Sequence, residues 1–573
     1  AGLTGLNASN LTSGTIPLAQ LPGAVVTNNA TGLNLTGTFT GNGASLTNVN
    51  AAQLNGLNSS NFWQLGGNNV SSTQFLGSTN NQAVEFRVNN VRALRIEPNT
   101  NGAPNMIGGS PRNFVAAGVV GATIAGGGAT NHGSLAYTNS VRSDFGVVGG
   151  GVQNSIAANS DFSTIAGGDG NTIAADSFFA TIAGGYLNDI GTNSFDGAIG
   201  GGFNNNIAAN SQLATIAGGN ANDIGTNSSY STIGGGNNNN IAAYSGSATI
   251  AGGELNDIGT NSTSSVIGGG EDNNIAAYSG SATIAGGELN DISTNSLYSA
   301  IGGGFDNNIS SNSLAATIAG GTLNDISTNS LYSAIGGGYD NNIAGDSFYA
   351  TIAGGAVHNI GINSPYSSIG GGTGNTILTN SRVATIPGGA GNTATNYAFA
   401  AGYNAKATNT GAFVWSDGTG TVTGSTNANS VTMRASGGYR LFSAITNAGV
   451  FLAANGNAWS SISDRNAKKN FAAVDYENVL AKLARVPVAQ WNYQWEKDSD
   501  VPNLGPMAQD FKAAFYPGRD DKSISTLEFD GVELAAIQGL NQKLEQKETE
   551  IAELKQRLEK LEQLMNNKNG ATK

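Results

Sequence analysis

A serine recurs fourteen times between Ser160 and Ser381 at an unbroken spacing of seventeen residues. An isoleucine or valine and an asparagine keep the same period. A globular catalytic core needs different side chains at different depths, so a strict period held over about 250 residues means that every unit meets its neighbours in the same way. A stretch built like that folds as a rod.

The phase of the repeat is read directly. An aliphatic residue opens each unit, from Val148, Ile165 and Ile182 through to Ile369 and Ile386. Six positions on stands an asparagine, Asn154, Asn171, Asn188 and so on to Asn392, with His358 as the sole exception. A second aliphatic follows two positions later, as at Ile156, Ile190 and Ile258. Two short apolar segments per unit, divided by Gly-Gly and Asn-rich turns that tolerate positive φ, predict one coil of a β-solenoid with two strands. Fifteen such coils stacked at the inter-strand distance of about 4.8 Å extend for roughly 70 Å. The Asn and Ser columns then become hydrogen-bonded ladders. Stapling of turns accounts for an Asn ladder better than a row of metal or sugar ligands does, and the glycine and aspartate spacing of calcium-binding repeats is absent.

Composition narrows the function. There is no cysteine and only two histidines, His132 and His358, which leaves neither a disulfide framework nor a Cys/His zinc site; no cofactor and no metal are expected. A net charge of −13 argues against nucleic acid and anionic membrane as partners. No stretch is apolar enough to enter a bilayer as a helix. The sequence starts at Ala1 without a signal peptide and reads as a processed form or a fragment.

Charge is also uneven along the chain. None precedes Glu85, and more than half of it follows Ser463. Four regions are expected: an Asn/Gly/Thr-rich β stalk over 1–110, the seventeen-residue β-solenoid over 111–399, a β connector over 400–462, and a charged α+β domain over 463–573. In the connector, the fourteen-residue step from Ala400 to Val414, within Ala400-Ala-Gly-Tyr-Asn-Ala-Lys-Ala, resembles the head repeats of trimeric autotransporter adhesins.

The last region opens with Ser463-Asp-Arg-Asn-Ala-Lys468. Together with Trp491-Asn-Tyr-Gln-Trp, Leu504-Gly-Pro-Met-Ala-Gln-Asp-Phe and Leu534-Ala-Ala-Ile-Gln-Gly-Leu, it resembles the self-cleaving intramolecular chaperone domain at the C-termini of phage tail fibres, neck appendages and endosialidases. Two positions depart from that pattern: Pro506 replaces an aromatic or aliphatic residue, and Gly539 an acidic one. The resemblance implies a homotrimer, with two identical chains as partners, and self-cleavage between Ile462 and Ser463. Ser463 is then the nucleophile, Lys468 the general base, and Asp464 a supporting residue that either orients the site or caps a helix, the cap being favoured. Such an activity is a single-turnover endopeptidase without external substrate. A serine hydroxyl reacts poorly until a base takes its proton, and a free lysine of pKa about 10.4 is protonated at neutral pH, so the chemistry requires desolvation on assembly.

The end of the chain supports association independently. Ile537, Leu540, Leu544, Ile551, Leu554, Leu558, Leu561 and Met565 occupy the a and d positions of heptads within 534–566, with Lys547 the one break. The flanking pairs Lys543 with Glu548, Glu550 with Lys555, and Arg557 with Glu562 are all opposite in sign, as a parallel coiled coil in register requires. A register device suits a repetitive rod, because chains slipped by one coil look almost alike.

The expected architecture is therefore a mainly β, trimeric solenoid fibre with a C-terminal chaperone, located on a virion or extracellular surface. Its partner is a surface glycan or protein receptor. Tyr230, Tyr298, Tyr332 and Tyr366 share one position of the repeat and form a candidate receptor stripe, expected on the strand face opposite the isoleucines; packing between coils or chains is the plainer reading. Two alternatives stay open: a bacterial surface adhesin with a permanent, uncleaved trimerisation cap, and a polysaccharide depolymerase. The second needs paired carboxylates, and Asp257, Asp291 and Asp325 form one column with no second row.

Overall fold

The computed structural model describes residues 53–54, 57–58, 63–446 and 448–570. The chain divides into two compact units, 1–79 and 80–573. In the first, Gln53–Leu54 and Leu57–Asn58 pair antiparallel, Leu54 opposite Leu57. Most of the stalk expected over 1–110 lies outside the described residues.

The second unit begins with three antiparallel strands, Val84–Val88, Val91–Glu97 and Asn105–Gly108. Asn89 and Asn90 both take positive φ, 48° and 58°, as a tight two-residue hairpin turn demands. Composition groups this segment with the stalk, but it is the first layer of the solenoid. Met106 and Ile107 pair in parallel with Thr123 and Ile124. A solenoid end is an exposed sheet edge, and here the antiparallel strands cover it.

Two parallel ladders then run through the repeats with a step of one unit. Ile165 lies opposite Ile182 in one, and Ile173 opposite Ile190 in the other. The second ladder contains nineteen strands, from Phe114–Val115 to Thr423–Gly424. Between them lies a third pairing site that the sequence does not announce, a column of single bridges from Val152↔Asp169 to Thr373↔Ala390. Each coil therefore has three short pairing sites, not two. Its strands are only two residues long because left-handed corners interrupt the backbone, as at Leu187, Asn193 and Asp196 with φ of 56°, 58° and 55°.

The interior is a stack of isoleucines, all but wholly excluded from solvent. Beside it the asparagines form a buried ladder. Asn188 Nδ2 donates to Asn171 Oδ1 at 3.0 Å and to the carbonyls of Gly184 and Gly202, while Asn188 Oδ1 accepts the backbone N–H of Asn205 at 3.0 Å. The serines do the same at the next corner: Ser194 Oγ donates to Ala208 O and accepts the N–H of Ser211. The buried Asn and Ser side chains of these coils thus satisfy one another and the backbone, as low dielectric favours. Gly185 stands where a Cβ would lie 2.1 Å from Gly202 O, so this corner admits no side chain.

A two-coil superperiod overlies the seventeen-residue step. Asp223, Asn240, Asp257, Asn274, Asp291, Asn308 and Asp325 succeed one another in one column, and Asn240 and Asn308 donate their amides to Asp257 and Asp325. Carboxylates directly opposite in a ladder repel; an amide in every second coil replaces that repulsion with a hydrogen bond. In a buried column, Ser231, Ala248, Ser265 and Ala282 alternate likewise, Ser265 Oγ donating to Ser279 O and accepting the N–H of Ala282.

Beyond Ile386 the coils change length. Ala400 lies opposite Val414, and Val414 opposite Thr432. A three-stranded antiparallel sheet follows, Tyr439–Phe442, Gly449–Leu452 and Ser460–Ser461.

The remainder comprises α1 (Tyr476–Leu483), α2 (Ala508–Phe515), α3 (Thr526–Gly570) and an antiparallel pair, Val488–Trp491 with Asn503–Pro506. Asp475 caps α1 by accepting the N–H of Asn478 at 3.0 Å. Phe511 of α2 is fully buried against Phe515 and Phe529. Glu528 holds both the exposed Arg519 and the largely buried Lys512, and these partners, Lys512 first, keep its carboxyl at about 2. Gly539 explains its own departure from the resembled pattern: a Cβ there would sit 2.3 Å from Tyr476 O, so the glycine lets α1 close onto α3.

Candidate functional site

The strand Ser460–Ser461 leads into the motif. Asp464 is extended, and its carboxylate accepts the N–H of Asn466 at 2.9 Å, capping a short 3-10 turn over Arg465–Ala467. The turn ends as the N–H of Lys468 donates to Arg465 O at 3.2 Å. This tight loop returns the lysine to the serine five positions before it. Lys468 Nζ donates to Ser463 Oγ at 2.7 Å, and both side chains face solvent on the single chain. An amine and a hydroxyl at that distance are within reach of direct proton transfer. The fold thus brings Ser463 and Lys468 together and gives Asp464 a capping position beside them. Ile462, the residue before Ser463, lies against the preceding sheet.

The tyrosine column is placed differently from expectation. Tyr230, Tyr298, Tyr332 and Tyr366 lie at left-handed corners, with φ between 57° and 64°, and are exposed. They do not sit on strands, because two-residue strands end before alternation reaches them. Tyr349 belongs to the same column and was legible from its spacing to Tyr332. Tyr332, Tyr349 and Tyr366 stack face to face at 5.0 and 5.2 Å, and Arg382 covers Tyr366 at 5.4 Å. Phe145, Phe162 and Phe179 form a matching stack nearer the other end. Stacked faces are already occupied by neighbouring coils, so within each stack the rings serve the rod itself.

A second acidic column does exist. Glu254, Glu271 and Glu288 follow one another at the third pairing site and line an open groove of about 720 Å³ with Asn237 and Phe305. They stand three residues before Asp257, Asn274 and Asp291. Among the described residues no group of three or more His, Asp or Glu side chains is arranged to hold a metal, and no helix is long and apolar enough to cross a membrane.

Along α3 the heptad residues from Ile537 to Met565 are half or more exposed on the single chain. Lys547 turns back to Glu550 at 2.6 Å within its own helix.

Comparison with known families agrees with this layout. Residues 463–518 match the family model described as chaperone of endosialidase, and the match begins at Ser463 itself. No curated protein matches the chain. A β-solenoid followed by a chaperone-of-endosialidase domain fits a protein of the endosialidase and tail-fibre type.

Proposed function

We propose that this chain, a β-solenoid ending in a chaperone-of-endosialidase domain, is one strand of a homotrimeric extracellular or virion fibre that attaches to a host or surface. Three α3 helices associate through their heptad faces, set the register of the three rods, and the chaperone then severs itself between Ile462 and Ser463. The observation that carries this reading is the 2.7 Å contact of Lys468 Nζ with Ser463 Oγ at the first residue of the family match.

Each side chain has a defined task. Lys468 takes the proton from Ser463 Oγ, which attacks the carbonyl carbon of Ile462; the proton passes to the leaving nitrogen, and water hydrolyses the ester. Lys468 is exposed on one chain, so the neutral amine that this step needs arises when neighbouring chains cover the loop. Cutting is thereby coupled to assembly. Tyr230 and Tyr298, whose ring faces are not stacked on a neighbouring coil's ring, remain candidate contacts for a surface glycan or protein receptor.

Native mass measurement on the uncleavable Ser463→Ala chain tests the assembly step. Three chains are expected, and Leu554→Asp with Leu558→Asp reduces the particle to single or aggregated chains. A monodisperse single chain in the parent would contradict the reading.

A further inference from the structure

The sheet that precedes the scissile bond is built as more than a connector. Arg440 lies opposite Phe451, and Phe451 opposite Ser460; Phe442 lies opposite Gly449. Residues directly opposite in an antiparallel sheet share a face, so Arg440, Phe442, Phe451 and Ser460 point to one side. Ile462, two residues beyond Ser460, returns to that side by strand alternation. There it lines a cavity of about 270 Å³ together with Arg440, Phe442, Gly449, Val450 and Phe451. The floor is bare backbone: a Cβ on Gly449 would stand 1.9 Å from Leu441 O and 2.9 Å from Phe442 Cα.

We propose that the hairpin Tyr439–Leu452 is the substrate-holding half of the self-cleavage site: it pairs with Ser460–Ser461, seats the Ile462 side chain, and presents Arg440 to the carboxylate that cleavage leaves on Ile462. The proposal rests on the self-cleavage reading and adds to it the acyl-side pocket and its selectivity.

A peptide bond is cut efficiently only when its carbonyl is held still against the nucleophile, and extended pairing with a neighbouring strand, side chains entering pockets at alternate positions, is a general means of holding it. Here the strand belongs to the same chain, so no binding step is needed. Val450 opposite Ser461 and Phe451 opposite Ser460 fix the main chain up to the residue before Ile462. Seating Ile462 then removes the remaining freedom of its carbonyl relative to Ser463 Oγ.

The chemistry adds a charge where Arg440 stands. Oγ–C forms as the Ile462–Ser463 C–N bond breaks, giving an ester and a free amine on Ser463. Water adds to the ester, the Ser463 hydroxyl leaves with a proton, and Ile462 is left as a carboxylate. Arg440 is the one charged residue among those lining the cavity, and a guanidinium pairs with a carboxylate through two parallel hydrogen bonds. The cut end stays on the sheet and the last strand of the rod does not fray.

The experiment uses the full chain, with cleaved fraction followed by intact mass against time. Ile462→Val and Ile462→Leu cleave within about twofold of the parent, whereas Ile462→Asp and Ile462→Gly slow at least tenfold, because the carbonyl is no longer positioned. Thermal unfolding of each variant controls for loss of sheet stability, and the Ile462 variants are expected to unfold together with the parent. After cleavage, carboxypeptidase leaves Ile462 in place on the parent rod, trims it from Arg440→Gln, and is again resisted by Arg440→Lys. Equal rates for every residue at 462, slowing of Ile462→Gly that only follows a loss of folded sheet, or an untrimmed Arg440→Gln end would overturn the proposal while self-cleavage stands. A parent chain that never cuts would overturn both.

Discussion

Nδ1 of His358 accepts the backbone N–H of Asn375 at 3.1 Å, inside a column where asparagine occupies the equivalent place in the other seventeen-residue coils. The imidazole takes over one bond of the ladder and drops the others. Asn375 Nδ2 reaches Gly371 and Gly389 but not the residue beneath it, and the buried Nε2 has no well-formed partner beyond a weak interaction with the Gly372 backbone.

Replacing His358→Asn therefore stabilises the rod by about 1–3 kcal/mol, the cost of an unsatisfied buried group. The sign of its pH dependence is fixed by the same site. Burial pushes the imidazole below its ordinary 6.5, so the unfolded chain takes up the proton first. Stability falls as pH drops below about 6.5 and levels once the folded group titrates. Thermal unfolding at several pH values checks this: the gap between His358→Asn and the parent should widen on acidification below 6.5, and a constant gap would contradict it.

Asn240 lies between Asp223 and Asp257, both of whose carboxyls burial raises above 3.8. Asn240→Asp places three part-buried carboxylates in a row and is expected to cost about 1–2 kcal/mol at neutral pH. Protonation relieves the repulsion, so the deficit should shrink between pH 7 and 4. The exposed Glu254, Glu271 and Glu288 tolerate the same stacking because water screens them. Unfolding midpoints of the variant and the parent at both pH values decide the matter.

At the contact of α1 with α3, Gly539→Ala must move Tyr476 O by more than a few tenths of an ångström. The variant should lose about 1–3 kcal/mol of chaperone-domain stability by overpacking, leave the solenoid unaffected, and slow self-cleavage. Denaturant titration followed by the helical circular dichroism signal reports on that domain, which holds α1, α2 and α3.

Much of the rod was legible because its contacts depend on residue identity. Isoleucine, asparagine and serine columns must repeat if buried groups are to be satisfied alike in every coil. The third pairing site was not legible, since backbone alone makes it and Val152, Asp169, Tyr186 and Phe203 share no chemistry. The two-coil superperiod hides behind the invariant columns, and Tyr349 breaks the two-coil spacing of Tyr298, Tyr332 and Tyr366. Ser463 and Lys468 announced themselves as a local motif with a tight turn between them. The Ile462 pocket did not, because it is assembled by strand register between Arg440, Phe442, Gly449 and Phe451, which no spacing rule connects.

Intact mass under denaturing conditions, taken on the freshly assembled full chain and on Ser463→Ala, tests the central claim. The account predicts a parent split between Ile462 and Ser463 and a variant of undiminished mass. An uncut parent would contradict it, leaving the domain a permanent trimerisation cap and the Ser463–Lys468 contact a feature of its opening turn alone.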